Sequence, residues 1–431
     1  MSILNQKNVA VRLSGTSLGT LSTQAVPANF LGYKQKKALH IPGVGILLVY
    51  NSLLYGLHAV LLDETLATVK PLAETSVNIR NAVGYADIHF LISIDANHET
   101  GESRWLAITH EGIALAVNVR VQNYFGQAEI QVECGTPQKL FSSRHPVRTI
   151  AHALANGRLW LVSEGIHTDQ RSTRMDCFDF DPETLQLTLA GERLFKGHNV
   201  FSKAFFLRHQ ETVTFVDALG AWHPLAVRTL SGKVHIALQM PLTGKLEPKC
   251  VLPLAGTNLA MTTLGPYTPY QDQGIDSEDV PAAYGNTTHA GLLNLDTLQF
   301  QGPFYSFGMT TAGHGRSAHL PQNVAYTFWH GTPVIVVAGE RGLNLFLVMH
   351  GTLHFQGSVP YTYQPKNGFV SIDLGLAQSN DHIYAFTSEA FELGKHAHIE
   401  ALQITPEQVE QPRQTALPGW LKRTIASVMP Q

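Results

Sequence analysis

The sequence predicts an all-β protein built from a repeated unit of four short antiparallel strands. Three observations carry that reading. Apolar and polar residues alternate over runs that turn residues interrupt roughly every six to ten positions, the pattern of many short strands. Helical periodicity is nearly absent until the last segment of the chain. One strand–turn–strand pattern also returns along the whole length, about 57 residues apart on average, which marks a repeat architecture.

The pattern is plainest in CFDFDPETLQLTLAGE, Cys177 to Glu192. Phe178 and Phe180 alternate with Asp179 and Asp181, a Pro-Glu-Thr turn follows, and Leu185, Leu187 and Leu189 alternate with Gln186 and Thr188. Comparable runs contain Leu62, Val119, Val227, Leu295, Val348 and Ile404 at the point that Phe180 holds here. Two further strand-like runs precede the hairpin, as in GYADIHFLISID then SRWLAITHEG, or NVAYTFWHGTPVIVVAGERG. A four-stranded sheet of this size cannot bury both faces alone, so each unit needs neighbours.

These runs and their spacing resemble a β-propeller, and the resemblance covers nearly the whole chain. It implies seven four-stranded antiparallel blades around an axis, with only short edges left over. It is a resemblance of architecture: there is no GH…WD pair and no double-glycine kelch pattern, so no particular family follows. Closure by the N-terminal strand is expected. NVAVRLSGTSLGTLSTQAV alternates ahead of the first complete unit, and the last hairpin, HIEALQITPEQVEQP, is flanked by Pro406 and Pro412, residues suited to an edge. Residues 1–415 are thus expected to form a single propeller domain and 416–431 a tail. In that tail Trp420, Leu421, Ile425 and Val428 share one face of a short helix after Pro418-Gly419. Two packed sandwiches are the competing arrangement.

Composition narrows the function classes. Of 431 residues, 44% are apolar and only 15% charged, with a formal charge of −3. Lys and Arg are scattered apart from KQKK at Lys34 to Lys37, so no basic stripe for nucleic acid is expected. No run approaches the roughly 20 apolar residues that span a bilayer. The nearest, GVGILLVYNSLLYGLHAVLL, is broken by Asn51, Ser52 and His58. MSILNQKNVAVRLSG lacks the pattern of a cleaved secretion signal, which points to the cytoplasm or to a place in an assembled particle. Cys134, Cys177 and Cys250 are far apart, without zinc spacing, and read as buried free thiols. No cofactor is expected.

Candidate site residues come from the loops that would lead into the innermost strands. NIRNAV, PVRTIA, NVFSKAFF, GTNLAMTT, PQNVAYTF and PKNGFVSI put Arg80, Arg148, Lys203, Asn258, Asn323 and Asn367 at similar points of successive units. Such donors could converge on an anionic or polyhydroxyl ligand, or simply satisfy backbone at the channel mouth. The longest break in the strand pattern runs from Gly265 to Gly291. Its Tyr267, Tyr270 and Tyr284 suit a protein-contact surface. Its Asp272, Asp276, Glu278 and Asp279 could meet a hard cation, but their spacing does not match an EF-hand loop. TTAGHGRSAHLPQN, Thr310 to Asn323, is the most enzyme-like stretch, with His314 and His319 beside Arg316 and Ser317; no GxSxG, HExxH or P-loop accompanies it.

The reading that follows is a non-catalytic binding or scaffold protein that presents loops to partner proteins, as a subunit of a larger assembly; a virion or tail-like particle is one setting. The alternatives are a hydrolase or lyase using His314, His319 and Arg148 at the channel mouth, and a lectin-like propeller.

Overall fold

The computed structural model describes residues 9–410 except 22–32, 53–55, 80–87, 98, 110, 125–126, 142–146, 167–170, 197–204, 210–211, 217–221, 231–232, 239–247, 265–286, 298, 309–323, 339–341, 363–370 and 390–398, and describes some strand residues by their backbone only. Among the described residues every regular element is a strand. In chain order these are β1 (Val9–Thr20), β2 (Tyr33–Ile41), β3 (Gly45–Ser52), β4 (Gly56–Leu62), β5 (Pro71–Val77), β6 (Ile88–Asn97), β7 (Glu102–Thr109), β8 (Ile113–Tyr124), β9 (Gln127–Cys134) and β10 (Gln138–Lys139). They continue with β11 (Val147–Ala155), β12 (Arg158–Ile166), β13 (Arg171–Phe180), β14 (Leu187–Lys196), β15 (Phe205–His209), β16 (Thr212–Val216), β17 (Trp222–Leu230), β18 (Lys233–Leu238), β19 (Pro248–Pro253) and β20 (Leu259–Leu264). The last are β21 (Thr287–Asn294), β22 (Gln299–Gly308), β23 (Val324–Trp329), β24 (Thr332–Ala338), β25 (Gly342–Met349), β26 (Thr352–Pro360), β27 (Ser371–Gln378), β28 (Ile383–Glu389) and β29 (Ile399–Glu410).

The strands pair antiparallel into sheets β2–β5, β6–β10, β11–β14, β15–β18, β19–β22, β23–β26 and, last, β27-β28-β29-β1. These are called the first to seventh sheets below. The second carries β9 and the short β10 end to end along the outer edge of β8. First strands touch their counterparts in neighbouring sheets: β2 meets β6 and β27, β15 meets β11 and β19, and β23 meets β19 and β27. They are therefore the innermost strands, and the fold is an all-β propeller.

Middle strands explain why the chain packs this way. Ile46, Leu47, Leu48, Val49 and Tyr50 are all buried, an unbroken apolar run rather than an alternation. Leu47 and Val49 pack toward the second sheet, whereas Ile46, Leu48 and Tyr50 pack toward the seventh. A strand covered on both faces needs apolar residues on both. Two-sided cores of this kind join the first to the second sheet, second to third, third to fourth, fifth to sixth, sixth to seventh, and seventh to first. Between the fourth and fifth sheets the described core is one-sided, with Val251, Ala260, Leu293 and Leu295 of the fifth. The expectation of seven equivalent blades is narrower in this respect: six junctions show a core from both sides.

Side chains reach across the junctions to backbone. Asn51 Nδ2 donates to Ile88 O at 3.3 Å, and Arg104 Nη1 donates to Pro182 O at 2.9 Å while its Nε grips Asp95. Arg193 Nη1 donates to Ile236 O at 3.2 Å, and Gln378 Nε2 to Phe328 O at 3.0 Å. Outer strands β5, β14, β22 and β26 each carry a register shift against their neighbour. Such bulges twist an edge and discourage pairing with another chain.

Closure follows the expected route, with one correction. β1 pairs with β29 from Val9↔Glu410 to Thr20↔Glu400, and Leu21 N donates to Ile399 O at 2.7 Å. The expected terminal hairpin around Ile404 does not exist: Ile399–Glu410 is one continuous strand that runs through Pro406, opposite Leu13. A proline without its N–H is tolerated there because the pairing of β29 with β28 ends at Ile404, so Pro406 has a strand neighbour on one side only. Glu400, 5% exposed, latches the closure: Thr362 N and Oγ1 donate to its Oε1 at 2.6 and 2.8 Å, and Ser17 Oγ donates to the same oxygen. Glu400→Ala removes the acceptor these three donors share, leaving Ser17 Oγ and Thr362 Oγ1 only each other, 3.2 Å apart, and solvent. It is expected to cost about 2–4 kcal/mol in chemical denaturation, with Glu400→Gln costing less because an amide oxygen can still accept.

One smaller expectation also changes. Cys177 is buried, and burial pushes its thiol up to about 12, but Cys134 is exposed, so only one of these two thiols behaves as foreseen. Lys36, within the KQKK run, is fully buried on β2. The proposed helix at 416–431 lies outside the described residues.

Candidate functional site at the ends of the innermost strands

Antiparallel pairing gives the propeller two unlike faces. Each first strand reaches its second, and each third its fourth, at one end, here called the turn face. Second strands reach their thirds, and each sheet leads to the next, at the other end, the loop face.

Turns on the turn face are short and chemically determined. Asn156-Gly157, His330-Gly331 and His350-Gly351 all have positive φ in two-residue connections, the mirror-image turn whose twist matches paired strands. Three of the third-to-fourth turns reuse one device. Asp63 Oδ1 accepts from Thr65 N at 2.9 Å, Asp181 Oδ1 from Glu183 N at 2.9 Å, and Asn294 Oδ1 from Asp296 N at 2.9 Å. These are Asx-type turns, which Asp and Asn favour because their short side chains imitate backbone. The hydrogen bonds from Thr184 Oγ1 and Glu183 N hold the Asp181 carboxyl below its ordinary range.

At the axis on this face lies a polar pocket of about 400 Å³, lined by Ala38, Leu39, His40, Thr327, Gln378 and Ser379 among others. Three innermost strands, β2, β23 and β27, supply it. His40 is 7% exposed, and its Nε2 lies 2.7 Å from Glu64 Oε1 of the first sheet's outer turn. Thr327 Oγ1 donates to Gln378 Oε1. Ser379 Oγ receives His382 N at 3.0 Å and donates to His382 O at 3.2 Å, so it is committed to its own turn. Most polar groups of this pocket thus face protein partners, and it is a well-satisfied mouth. His40 could have been found in the sequence only as the histidine inside the run ALHI before Pro42-Gly43.

Of the residues expected to ring the mouth, the structure places two, and it separates them. Arg148 is at the beginning of β11, in register with Glu164, at the loop-face end of an innermost strand. Asn258 is exposed at the opposite end, in the turn between β19 and β20, where its Nδ2 donates to Asp296 Oδ2 at 3.0 Å. GTNLAMTT therefore leads into a second strand, not an innermost one. The innermost strand is the preceding PKCVLP, disguised in the sequence by Pro248 and Pro253 at its ends. Asn258 is a turn residue, and the expected convergence does not include it.

Arg80, Lys203, Asn323 and Asn367 lie outside the described residues. So do His314 and His319, Tyr267, Tyr270 and Tyr284, and Asp272, Asp276, Glu278 and Asp279. Among the described residues no group of three or more His, Cys, Asp or Glu is placed to hold a metal ion, and no helix is long and apolar enough to cross a membrane.

No protein-family model matches the chain, and no curated protein matches it. Solved structures with a similar course include Trypanosoma rangeli sialidase in complex with the inhibitor DANA, 9% identical, TM-score 0.44, over 96% of this chain and 61% of that one. The S. cerevisiae core factor is 8% identical, TM-score 0.47, over 98% of this chain and 65% of that one. The WD40 repeats of RRP9 are 8% identical, TM-score 0.43, over 93% and 100%. This chain spans about three fifths of the sialidases' length. The class of protein is a β-propeller; none of these likenesses assigns it an activity.

Proposed function

We propose that this chain is a non-catalytic binding protein: one propeller domain over residues 1–415, with seven blades closed by β1, that offers its loop face to partner proteins within a larger assembly. A virion or tail-like particle is one such setting. The observation that supports the reading is the contrast between the faces. Described strands that meet at the turn face are separated by no more than the interval between β4 and β5, whereas the two widest intervals between described strands, 265–286 and 309–323, begin and end at strand ends on the loop face. Long connections on a rigid scaffold are where binding residues concentrate. Tyr267, Tyr270 and Tyr284 fall in the first of them, and tyrosine gives large contact area at little entropic cost.

The test replaces residues 267–284 with a short Gly/Ser link and compares affinity capture and cross-linking from native lysate with those of the full chain. The expected result is an unchanged melting temperature and loss of the specific cross-linked partner. A partner retained by the shortened chain, or a turnover of substrate that His314→Ala abolishes, would turn the assignment toward another face or toward an enzyme.

A further inference from the structure

The junction of the second and third sheets holds a row of charges that no binding reading uses. Asp176, in the middle of β13, is fully buried. Leu161 of β12 and Glu192 of β14 stand opposite it in the ladder. Arg174, two residues earlier and so on the same face, brings Nε to 2.9 Å from Asp176 Oδ1 and donates to Oδ2 at 3.0 Å. Among the described residues Oδ1 accepts no hydrogen bond of good geometry. The same guanidinium reaches Glu192, with Nη1 3.4 Å from Oε2, and lies over the ring of Phe141, 5.2 Å from its centroid.

Phe141 belongs to the tail of the second sheet, which docks here. Its ring occupies the space left by Gly112, whose φ is +77°; a Cβ there would fall 2.1 Å from Phe141 Cε2. Leu140 N donates to Gly112 O at 2.9 Å. Gln138 then imitates a strand residue toward the third sheet: its Oε1 accepts from Leu187 N at 3.1 Å and its Nε2 donates to Leu187 O. Among the described residues Arg174 therefore both balances two carboxylates and covers the docked ring.

We propose that the Arg174–Asp176–Glu192 row is a pH-responsive fastening between the second and third sheets, tight while Asp176 is protonated and looser once it is ionised. With Asp176 neutral, the guanidinium charge serves Glu192 and the face of Phe141, a favourable cation–π geometry. Loss of the Asp176 proton to water leaves a buried carboxylate with a poorly served oxygen, and a buried charge is costly unless fully hydrogen-bonded. It competes with Glu192 for Arg174 and draws the guanidinium from the ring. The charged groups that act on Asp176 are Arg174 on its own strand and Glu192 on β14; β12 sets Leu161 opposite, and the second sheet presents Phe141. Burial pushes the Asp176 carboxyl up to about 7, Arg174 acts against that rise, and Glu192 adds to it. An opened seam has an ordinary carboxylate, so the closed seam binds more protons between about pH 4 and 7. Its stability falls as pH rises through that window and is level above it.

Hydrogen exchange tests this on peptides covering 135–141 and 187–194, corrected for intrinsic rates, with a peptide from the sixth sheet as internal reference. Protection of the two seam peptides is expected to fall at least about tenfold from pH 5 to pH 7, the change one unit of coupled protonation gives. Glu192→Gln, at a side chain 57% exposed, is expected to end that fall at a lower pH, and Asp176→Asn to remove it. Protection that does not change with pH in the natural sequence overturns the proposal. So does a Glu192→Gln profile identical to the natural one, which decides the matter even if Asp176→Asn fails to fold.

Discussion

A chain lacking residues 1–21 is expected to lose its cooperative fold and to aggregate. β1 is the outer strand of the seventh sheet and pairs with β29 over nearly its whole length. Leu13 is 3% exposed within the core shared by the sixth and seventh sheets, and Gly15 lies so close to the sixth sheet that a Cβ would meet Val359 Cγ2 at 2.5 Å. Removal uncovers that core, strands the Glu400 latch and frees the full edge of β29, a template for pairing with other chains. The loss is expected to exceed about 5 kcal/mol, a large part of the 5–15 kcal/mol that holds an ordinary domain. Circular dichroism melting and size-exclusion chromatography read the result. A synthetic Val9–Leu21 peptide added in trans is expected to restore a melting transition, because the strand's partners all lie on other elements. A truncated chain that melts within a few degrees of the full one would show that β1 is dispensable.

Acid is expected to destabilise the protein through His58. This residue is 1% exposed on β4, stacked on Tyr50 with ring centroids 5.1 Å apart, in the junction that joins the seventh sheet to the first. Burial lowers its pKa to about 4, so the folded chain keeps the ring neutral while the unfolded chain binds a proton below about 6.5. The unfolded state then holds more protons between those values, and stability rises with pH across that window. His58 alone accounts for about 3 kcal/mol, present in full above pH 6.5 and lost on the way down to about pH 4. His152, lowered to about 4 by burial and by the charge of Lys37, acts in the same direction, while Asp176 acts in the opposite one over nearly the same range. Two against one leaves a net rise toward pH 6.5. His58→Phe, which keeps a ring against Tyr50, is expected to halve or abolish the stability lost between pH 7 and pH 4.5 in urea titrations. A variant with the unchanged pH profile would move the acid sensitivity elsewhere.

Much of the architecture was legible from residue patterns. All but one of the anchor residues (Leu62, Val119, Phe180, Val227, Val348 and Ile404) lie on the third strand of a sheet, and Leu295 follows its third strand by one position. The described third strands are largely apolar on both faces, and those of the first, third and fifth sheets end in Asx turns; both signals are local. The N-terminal strand was visible for the same reason: an alternating run without a partner in sequence, and a last unit short of an outer strand. The site was less legible. Asn258 was misplaced because the prolines of PKCVLP hid an innermost strand, so the count of strands slipped by one and the turn was assigned to the wrong face. His40 and Gln378 are 338 positions apart in sequence, and nothing in either neighbourhood announces the other.

The amino-acid sequence by itself determined the strand content, the repeat and the identity of the strand that closes the ring, because periodicity, turn chemistry and proline are properties of short windows. Tertiary structure alone decided which face each connection occupies, that Lys36 and His58 are buried, and that Arg174, Asp176, Glu192 and Phe141 form one cluster. Burial and charge pairing depend on what a neighbouring sheet brings to the same place, and that is written only in the packing of segments distant along the chain.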